Sequence, residues 1–204
     1  MTPEWKDRQK MIDSTIATTK PSTSTSSLSA QSSTSSSSSV VVYPKVINHI
    51  AVSVPNLDQA IKWYKEALGF NMIAGPIEFV SDDSLTGRAV RDIHGSDLKR
   101  MRIAWLSSGN QIGFEIFEYI EPKAQRRQQN FEYWKSGFTH ICITDPNIED
   151  LCKKISETGG KQRSNIWEIV PDKGYKIVFC EDPFGNIIEI YSNSYEQTIT
   201  SLQK

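Results

Sequence analysis

The sequence contains few cysteines, no long apolar run and almost no net charge. Its 204 residues include three cysteines, none in a Cys-x-x-Cys motif, which excludes a disulfide scaffold or a zinc ribbon and indicates a reducing compartment. No apolar run approaches the roughly 18 residues of a membrane-spanning helix. The formal net charge of -1 provides no basic surface for nucleic acid. We therefore expect a cytoplasmic protein without a membrane or nucleic-acid partner.

The N-terminal segment also lacks the apolar side chains of a folded domain. Between Pro21 and Ser39, 15 of 19 residues are Ser or Thr. Such a tract buries too little apolar surface to offset the entropy lost on folding. We predict that residues 1–44 form a disordered extension, that residues 45–194 form the folded domain, and that residues 195–204 are a C-terminal tail.

The folded part is built from an internal repeat. Two short segments occur in the same order in each half, at positions 49–58 and 114–117 and again at positions 140–149 and 188–191. The longer match, HIAVSVPNLD against HICITDPNIE, needs no gap. Self-similarity of this kind indicates two copies of one structural unit. We place the first unit at residues 45–122 and the second at 136–194.

Each copy has the pattern of a βαβββ unit. An apolar, β-rich run ends at a Pro-Asn turn whose asparagine is suited to cap a helix. The apolar spacing then predicts helices over residues 57–68 and 148–158, each followed by glycine. Three more strands complete each unit, and in the second copy we place them at residues 167–170, 175–181 and 186–191.

The first copy carries an insertion. Its recurring histidine and glutamate are 66 positions apart (49 to 115), against 49 in the second copy (140 to 189). We place the additional residues between Phe79 and Arg100, where they form a lid, a binding loop or an ordinary surface insertion. His94 lies within this insertion, has no counterpart in the second copy, and is interpreted as a loop histidine.

The repeat brings chemically important residues to equivalent positions. His49 and His140 occupy equivalent positions in the first strands, and Glu115 and Glu189 each lie in an otherwise apolar last strand. An acid on an apolar sheet face is costly unless it is paired or binds a metal. Two imidazoles and two carboxylates related by an approximate two-fold axis suit a divalent metal such as Zn, Ni, Co, Mn or Fe. We predict that these four residues bind one such ion. Glu118 is predicted to lie on the strand face opposite to that of Glu115, so it would replace Glu115 as the ligand only if the register were shifted by one residue.

Other residues are candidates for substrate binding. Phe117, Tyr119 and Tyr191 alternate onto the same strand faces as the two glutamates, so we expect them to line a cavity for a small organic substrate. Arg102, near the insertion, is a candidate for holding a carboxylate or phosphate, and the alternative is that it belongs to a solvated charged face. The glycine-rich phosphate loops of nucleotide enzymes are absent, so we expect no organic cofactor.

At this point a family resemblance is apparent. Residues 49–70 and the stretch EDPFGNIIE at 181–189 resemble the opening and closing signatures of the vicinal oxygen chelate superfamily. This group includes glyoxalase I, methylmalonyl-CoA epimerase, fosfomycin-resistance proteins and extradiol dioxygenases. The resemblance implies an α+β fold in which two tandem βαβββ units form an open, eight-stranded, barrel-like sheet around a metal. It also implies pairing as a homodimer.

The resemblance implies two kinds of chemistry. In a glyoxalase-like or epimerase-like lyase or isomerase, the substrate chelates the metal and a carboxylate, Glu115 or Glu189, abstracts a proton next to a carbonyl. An Fe(II) dioxygenase would need only two histidines and one carboxylate. The additional glutamate favours proton transfer over ring cleavage. A small-molecule-binding protein without catalysis is the third alternative.

Overall fold

The computed structural model describes residues 43–126, 129 and 132–203. The predicted disordered extension therefore lies outside the described residues, apart from Tyr43 and Pro44, which are exposed. The chain divides into two units. Residues 43–46 are the described part of the first, and the second, which we call the compact unit, begins at Ile47. None of the helices in the described ranges is long and apolar enough to cross a membrane.

The first half of the compact unit forms a four-stranded sheet with two helices. Its elements are β1 (His49–Ser53), α1 (Leu57–Leu68), β2 (Asn71–Val80), α2 (Leu85–His94), β3 (Arg100–Ser107) and β4 (Gly113–Glu121). The strand order is β1-β4-β3-β2. β1 runs parallel to β4, and the other pairs are antiparallel.

The second half repeats this plan with small additions. Its elements are β5 (Ile141–Thr144), α3 (Ile148–Glu157), β6 (Lys161–Gln162), β7 (Trp167–Val170), a 3-10 turn (Pro171–Lys173), β8 (Tyr175–Glu181), β9 (Ile187–Tyr191) and α4 (Tyr195–Leu202). The order is β5-β9-β8-β6, and β7 also pairs with β8. Helix α4 lies where we predicted a C-terminal tail, and a capping box between Ser194 and Gln197 begins it.

The α+β class and the duplicated unit are confirmed. The strands that the structure describes form two sheets of four and five strands, nine in all where eight were expected, and these sheets do not form a closed barrel. The Pro-Asn turn acts as predicted in the first half, where the Asn56 side chain accepts a hydrogen bond from the Gln59 amide and Gly69 ends α1 in the left-handed conformation.

The two halves share one hydrophobic core. α1 and α3 contribute Leu57, Trp63, Ile148 and Ile155, which are buried together with core-facing residues of both sheets. Two hydrogen bonds cross between the halves: the Trp63 indole donates to Thr158 Oγ1 at 3.0 Å, and the Tyr64 hydroxyl donates to Asp182 Oδ2 at 2.6 Å. The two halves of the compact unit therefore pack together through α1 and α3.

The insertion in the first half is a helix and not a loop. Ser84 caps the N-terminus of α2 through the Gly87 amide, and His94 is its last residue, so the interpretation as a loop histidine is wrong. Val90 forms a small second core with Leu98 and Met101. This second core packs on Phe79, Phe117 and Tyr119, so the insertion covers one end of the first sheet.

Candidate functional site

Alternation along β4 and β9 separates core residues from candidate site residues. Phe114 and Ile116 are buried in the shared core, so Glu115 and its neighbours at every second position point the other way. In β9 the same rule places Glu189 opposite the core residues Ile188 and Ile190. We call the side of each sheet that faces away from α1 or α3 its outer face.

The first half-site is the pair of His49 and Glu115. Its Nε2–Oε2 distance is 3.5 Å, and the two side chains are 48% and 20% exposed. The other ring nitrogen, Nδ1, lies 2.9 Å from Asn48 Oδ1. Because an amide oxygen only accepts, Nδ1 is the donor in this contact, and Nε2 is the ring nitrogen that faces Glu115.

The second half-site repeats this arrangement. His140 Nε2 lies 3.0 Å from Glu189 Oε2, with side chains 31% and 11% exposed. The Nδ1 atom of His140 lies 2.8 Å from Thr139 Oγ1. In both halves, therefore, the residue just before the histidine occupies Nδ1 and directs Nε2 toward the glutamate, as is common for metal-binding histidines.

The two glutamates have different neighbours on the adjacent strand. Opposite Glu115, the Trp105 indole donates a hydrogen bond to Oε1 at 2.9 Å. Opposite Glu189 stands Phe179, whose ring packs edge-on against His140 at 5.3 Å. The Cys142 thiol also lies beside Glu189, where desolvation and the charge of that carboxylate raise the pKa of Cys142 to about 12.

The four predicted ligands remain two pairs. Among residues 43–126, 129 and 132–203, no group of three or more His, Cys, Asp or Glu side chains lies close enough to hold a metal ion. Each half-site alone supplies one nitrogen and one carboxylate. Binding of one metal by all four residues stays a prediction, and the single chain does not bring them together.

A cavity of about 450 Å³ lies between the two halves. Apolar residues of both, including Ile50, Phe70, Phe114 and Ile143, form much of its wall. None of the four predicted ligands is among its lining residues. Its lining does reach Gly113 and Cys142, which stand beside His49 and Glu189, so the cavity borders both half-sites.

The predicted substrate residues lie in three places. Phe117 and Tyr119 lie on the outer face with Glu115, where their rings stack 6.0 Å apart, and Tyr191 lies on the outer face with Glu189. His94 joins the first group, with Nδ1 3.3 Å from the Tyr119 hydroxyl. Arg102 lies elsewhere: it is bound to Asp58 and Glu118 at 2.9 and 3.0 Å on the side of α1.

Several residues that support the half-sites were not predicted from the sequence. Asn48 and Thr139 could have been found, because both immediately precede the recurring histidine and both carry a side-chain oxygen. Trp105 could not have been found in this way, because the residue at the equivalent position of the second half, Phe179, is aromatic but has no polar side-chain atom. His94 was found but assigned to a loop, and Arg102 was proposed to hold a substrate anion because its partners Asp58 and Glu118 could not be foreseen without the register of β3.

Comparison with known proteins supports this description. The model of the glyoxalase/bleomycin resistance protein/dioxygenase superfamily matches residues 46–190. The chain therefore belongs to this superfamily, whose members commonly use a divalent metal.

Two characterised relatives and one solved structure are similar to the chain. A 2-epi-5-epi-valiolone epimerase from an Actinomyces species is 24% identical over 147 residues, which cover 71% of this chain and 77% of the relative. A lactoylglutathione lyase from Schizosaccharomyces pombe is 28% identical over 155 residues, 72% of this chain and 47% of the relative; the chain thus spans about half of that enzyme's length. A glyoxalase family protein from Bacillus cereus has the same fold, with a TM-score of 0.58, 16% identity, and coverage of 74% of this chain and 97% of that one.

Proposed function

We propose that this protein is a metal-dependent lyase, isomerase or epimerase that moves a proton next to a carbonyl group of a small, oxygen-rich substrate. The observation that carries this proposal is the His–Glu pair that recurs on the outer face of each sheet. The names of the two relatives, an epimerase and a lyase, support the same class of reaction. Three free thiols agree with the cytoplasmic location that we propose.

The donor atoms of the two half-sites fit a divalent transition metal. Each pair presents an imidazole Nε2 and a carboxylate oxygen, and two such pairs make the mixed nitrogen and oxygen set that suits Zn, Ni, Co, Mn or Fe. When bound, the metal would stabilise the negative charge that develops on the substrate oxygen. His49, Glu115, His140 and Glu189 would hold it.

Because one chain holds its two pairs apart, we propose that a complete site forms between two copies. His49 and Glu115 of one copy would face His140 and Glu189 of the other, and a symmetric dimer would contain two sites. The partly exposed histidines of the two half-sites and the edge positions of β1 and β5 in the sheets that the structure describes support this arrangement, since an unpaired edge favours association.

The chain's own residues would perform the proton transfer. Glu189 is buried, and the side chain opposite it on β8 is the Phe179 ring and not an indole, so we assign it the role of general base. Glu115, which accepts the indole hydrogen bond, is assigned to metal binding. Phe117 and Tyr191 would line the substrate's path and exclude water.

Complementation between two variants tests the shared site. We expect about one metal per chain in wild type and almost none in either double variant, His49→Ala/Glu115→Ala or His140→Ala/Glu189→Ala. A heterodimer of the two, isolated with two different tags, should regain about one metal per two chains, because one of its two sites is intact. A metal-free heterodimer would contradict a site shared between copies. A wild type without metal after reconstitution would contradict the metal-dependent function.

The reaction class is tested by solvent exchange. With S-lactoylglutathione or 2-epi-5-epi-valiolone in D2O, we expect NMR to show deuterium entering at the carbon next to the carbonyl, and Glu189→Gln to abolish it. Iron retained in Glu115→Ala, together with oxygen consumption, would instead indicate a dioxygenase.

A further inference from the structure

One hydrogen bond in the first half-site has no equivalent in the second. Trp105 on β3 stands directly opposite Glu115 on β4, and its indole N–H donates to Oε1 at 2.9 Å. The other oxygen, Oε2, faces His49 Nε2. The two oxygens of this carboxylate therefore have separate partners, one from each neighbouring strand.

Packing holds the indole in this position. The Trp105 ring meets Phe79 of β2 edge-on, with ring centroids 6.4 Å apart and planes at 87°. The side chain is thus fixed by a ring on one side and by a carboxylate on the other. A partly buried indole N–H needs an acceptor, and here that acceptor is a predicted metal ligand.

The second half provides an internal comparison. Phe179 occupies the position opposite Glu189, and its side chain has no N–H to donate. Its ring packs on the histidine of the pair instead. The residue opposite the glutamate therefore contacts the glutamate itself in the first half and the histidine of the pair in the second half.

We propose that Trp105 is a positioning residue that occupies Oε1 of Glu115, so that this glutamate presents only Oε2 to the metal. The inference rests on the proposed function, because it assumes that Glu115 is a ligand. Groups that hydrogen-bond to metal ligands typically change metal affinity about 10- to 100-fold when they are removed.

The test uses Co(II) alone as the probe on the full-length protein. We expect Trp105→Phe, which places in the first half the residue type found in the second, to weaken Co(II) binding about 10- to 100-fold and to change the visible absorption spectrum of the bound ion. Trp167→Phe is the matched control, because Trp167 is 61% exposed in β7. It should leave both readouts unchanged.

A double variant and a rescue separate positioning from general damage. In the Glu115→Ala background, Trp105→Phe should add no further loss of affinity, because its effect passes through that glutamate. Trp105→Gln restores a side-chain N–H donor without adding an imidazole and should regain much of the affinity, even if Trp105→Phe lowers the unfolding midpoint.

The outcomes distinguish this inference from the proposed function. If wild type binds Co(II) and Trp105→Phe binds it equally tightly with the same spectrum, Trp105 does not position Glu115, while the proposed function stands. If Trp105→Phe weakens binding equally with and without Glu115, the positioning role is also overturned. If wild type binds no Co(II), the proposed function fails and this inference fails with it.

Discussion

Gly113 allows the first half-site to form, because it stands directly beside His49 in the parallel pair of β1 and β4. A Cβ atom at Gly113 would lie 2.9 Å from the Cβ of His49, closer than two carbons approach without repulsion. The histidine can therefore keep its orientation toward Glu115 only if this position has no side chain.

We predict that Gly113→Ala displaces His49 and lowers metal affinity about tenfold, with a loss of unfolding free energy of about 1–3 kcal/mol from overpacking. Gly109→Ala is the control, since a Cβ there meets nothing within 4 Å. Metal titration and urea unfolding of both variants check the prediction. Equal behaviour of the two would show that strand β1 moves freely to admit a methyl group.

The residues of the half-sites could be predicted from the sequence, whereas their grouping could not. The repeat identified His49, Glu115, His140 and Glu189 because each recurs in an apolar setting. Whether the two pairs meet depends on how the sheets are placed, which a repeat does not specify. The position of Arg102 was missed for a related reason: the face of a strand residue depends on a register that no motif marked.

At the scale of elements, α2 distinguishes the two halves. It occupies the insertion of the first half and packs through a second core onto the ring pair Phe117 and Tyr119. The helix was not predicted because its segment is rich in Ser, Asp, Gly and Arg, so few apolar residues mark a helical period. Helix α1, with Asn56 before it and Gly69 after it, was predicted with its observed bounds.

We predict that Leu98→Ala loosens α2 from the sheet. Leu98 is 3% exposed in the second core, and truncation of a buried leucine costs about 2–5 kcal/mol. Ile93→Ala, at a helix position that is 74% exposed, should change stability by less than about 0.5 kcal/mol. Urea unfolding at one protein concentration and limited proteolysis of residues 81–97 measure the difference. Equal protease resistance in the two variants would contradict the packing of α2.

At the scale of the whole molecule, the buried bond between Tyr64 and Asp182 joins the halves. Burial raises the pKa of the Asp182 carboxyl, and hydrogen bonds from Tyr64 and Asn186 oppose that rise. Desolvation and the nearby carboxylate hold the pKa of Tyr64 well above its usual value, so the hydroxyl stays a donor. The bond therefore stabilises the ionised form of a carboxylate in the shared core.

We predict that Tyr64→Phe lowers the unfolding free energy by about 1–3 kcal/mol at neutral pH, because a buried carboxylate oxygen loses a donor. An acid with a raised pKa in the folded state binds its proton more tightly there than in the unfolded chain. The loss in Tyr64→Phe should therefore shrink as the pH falls through the raised pKa of Asp182. Tyr195→Phe, 68% exposed, is the control. If the loss of unfolding free energy in Tyr64→Phe did not change with pH, ionisation of Asp182 would not be the source of that loss.

The shared core has a consequence for how the polypeptide can be divided. Hydrogen bonds that join the halves run from α1 to Thr158, at the end of α3, and to Asp182, at the turn after β8, so contacts other than the connection between β4 and β5 hold the halves together. A chain cut there would become two fragments, each with an apolar helix surface that the other covers. The domain is therefore suited to fragment complementation, with reassembly of the core as the signal that both pieces are present.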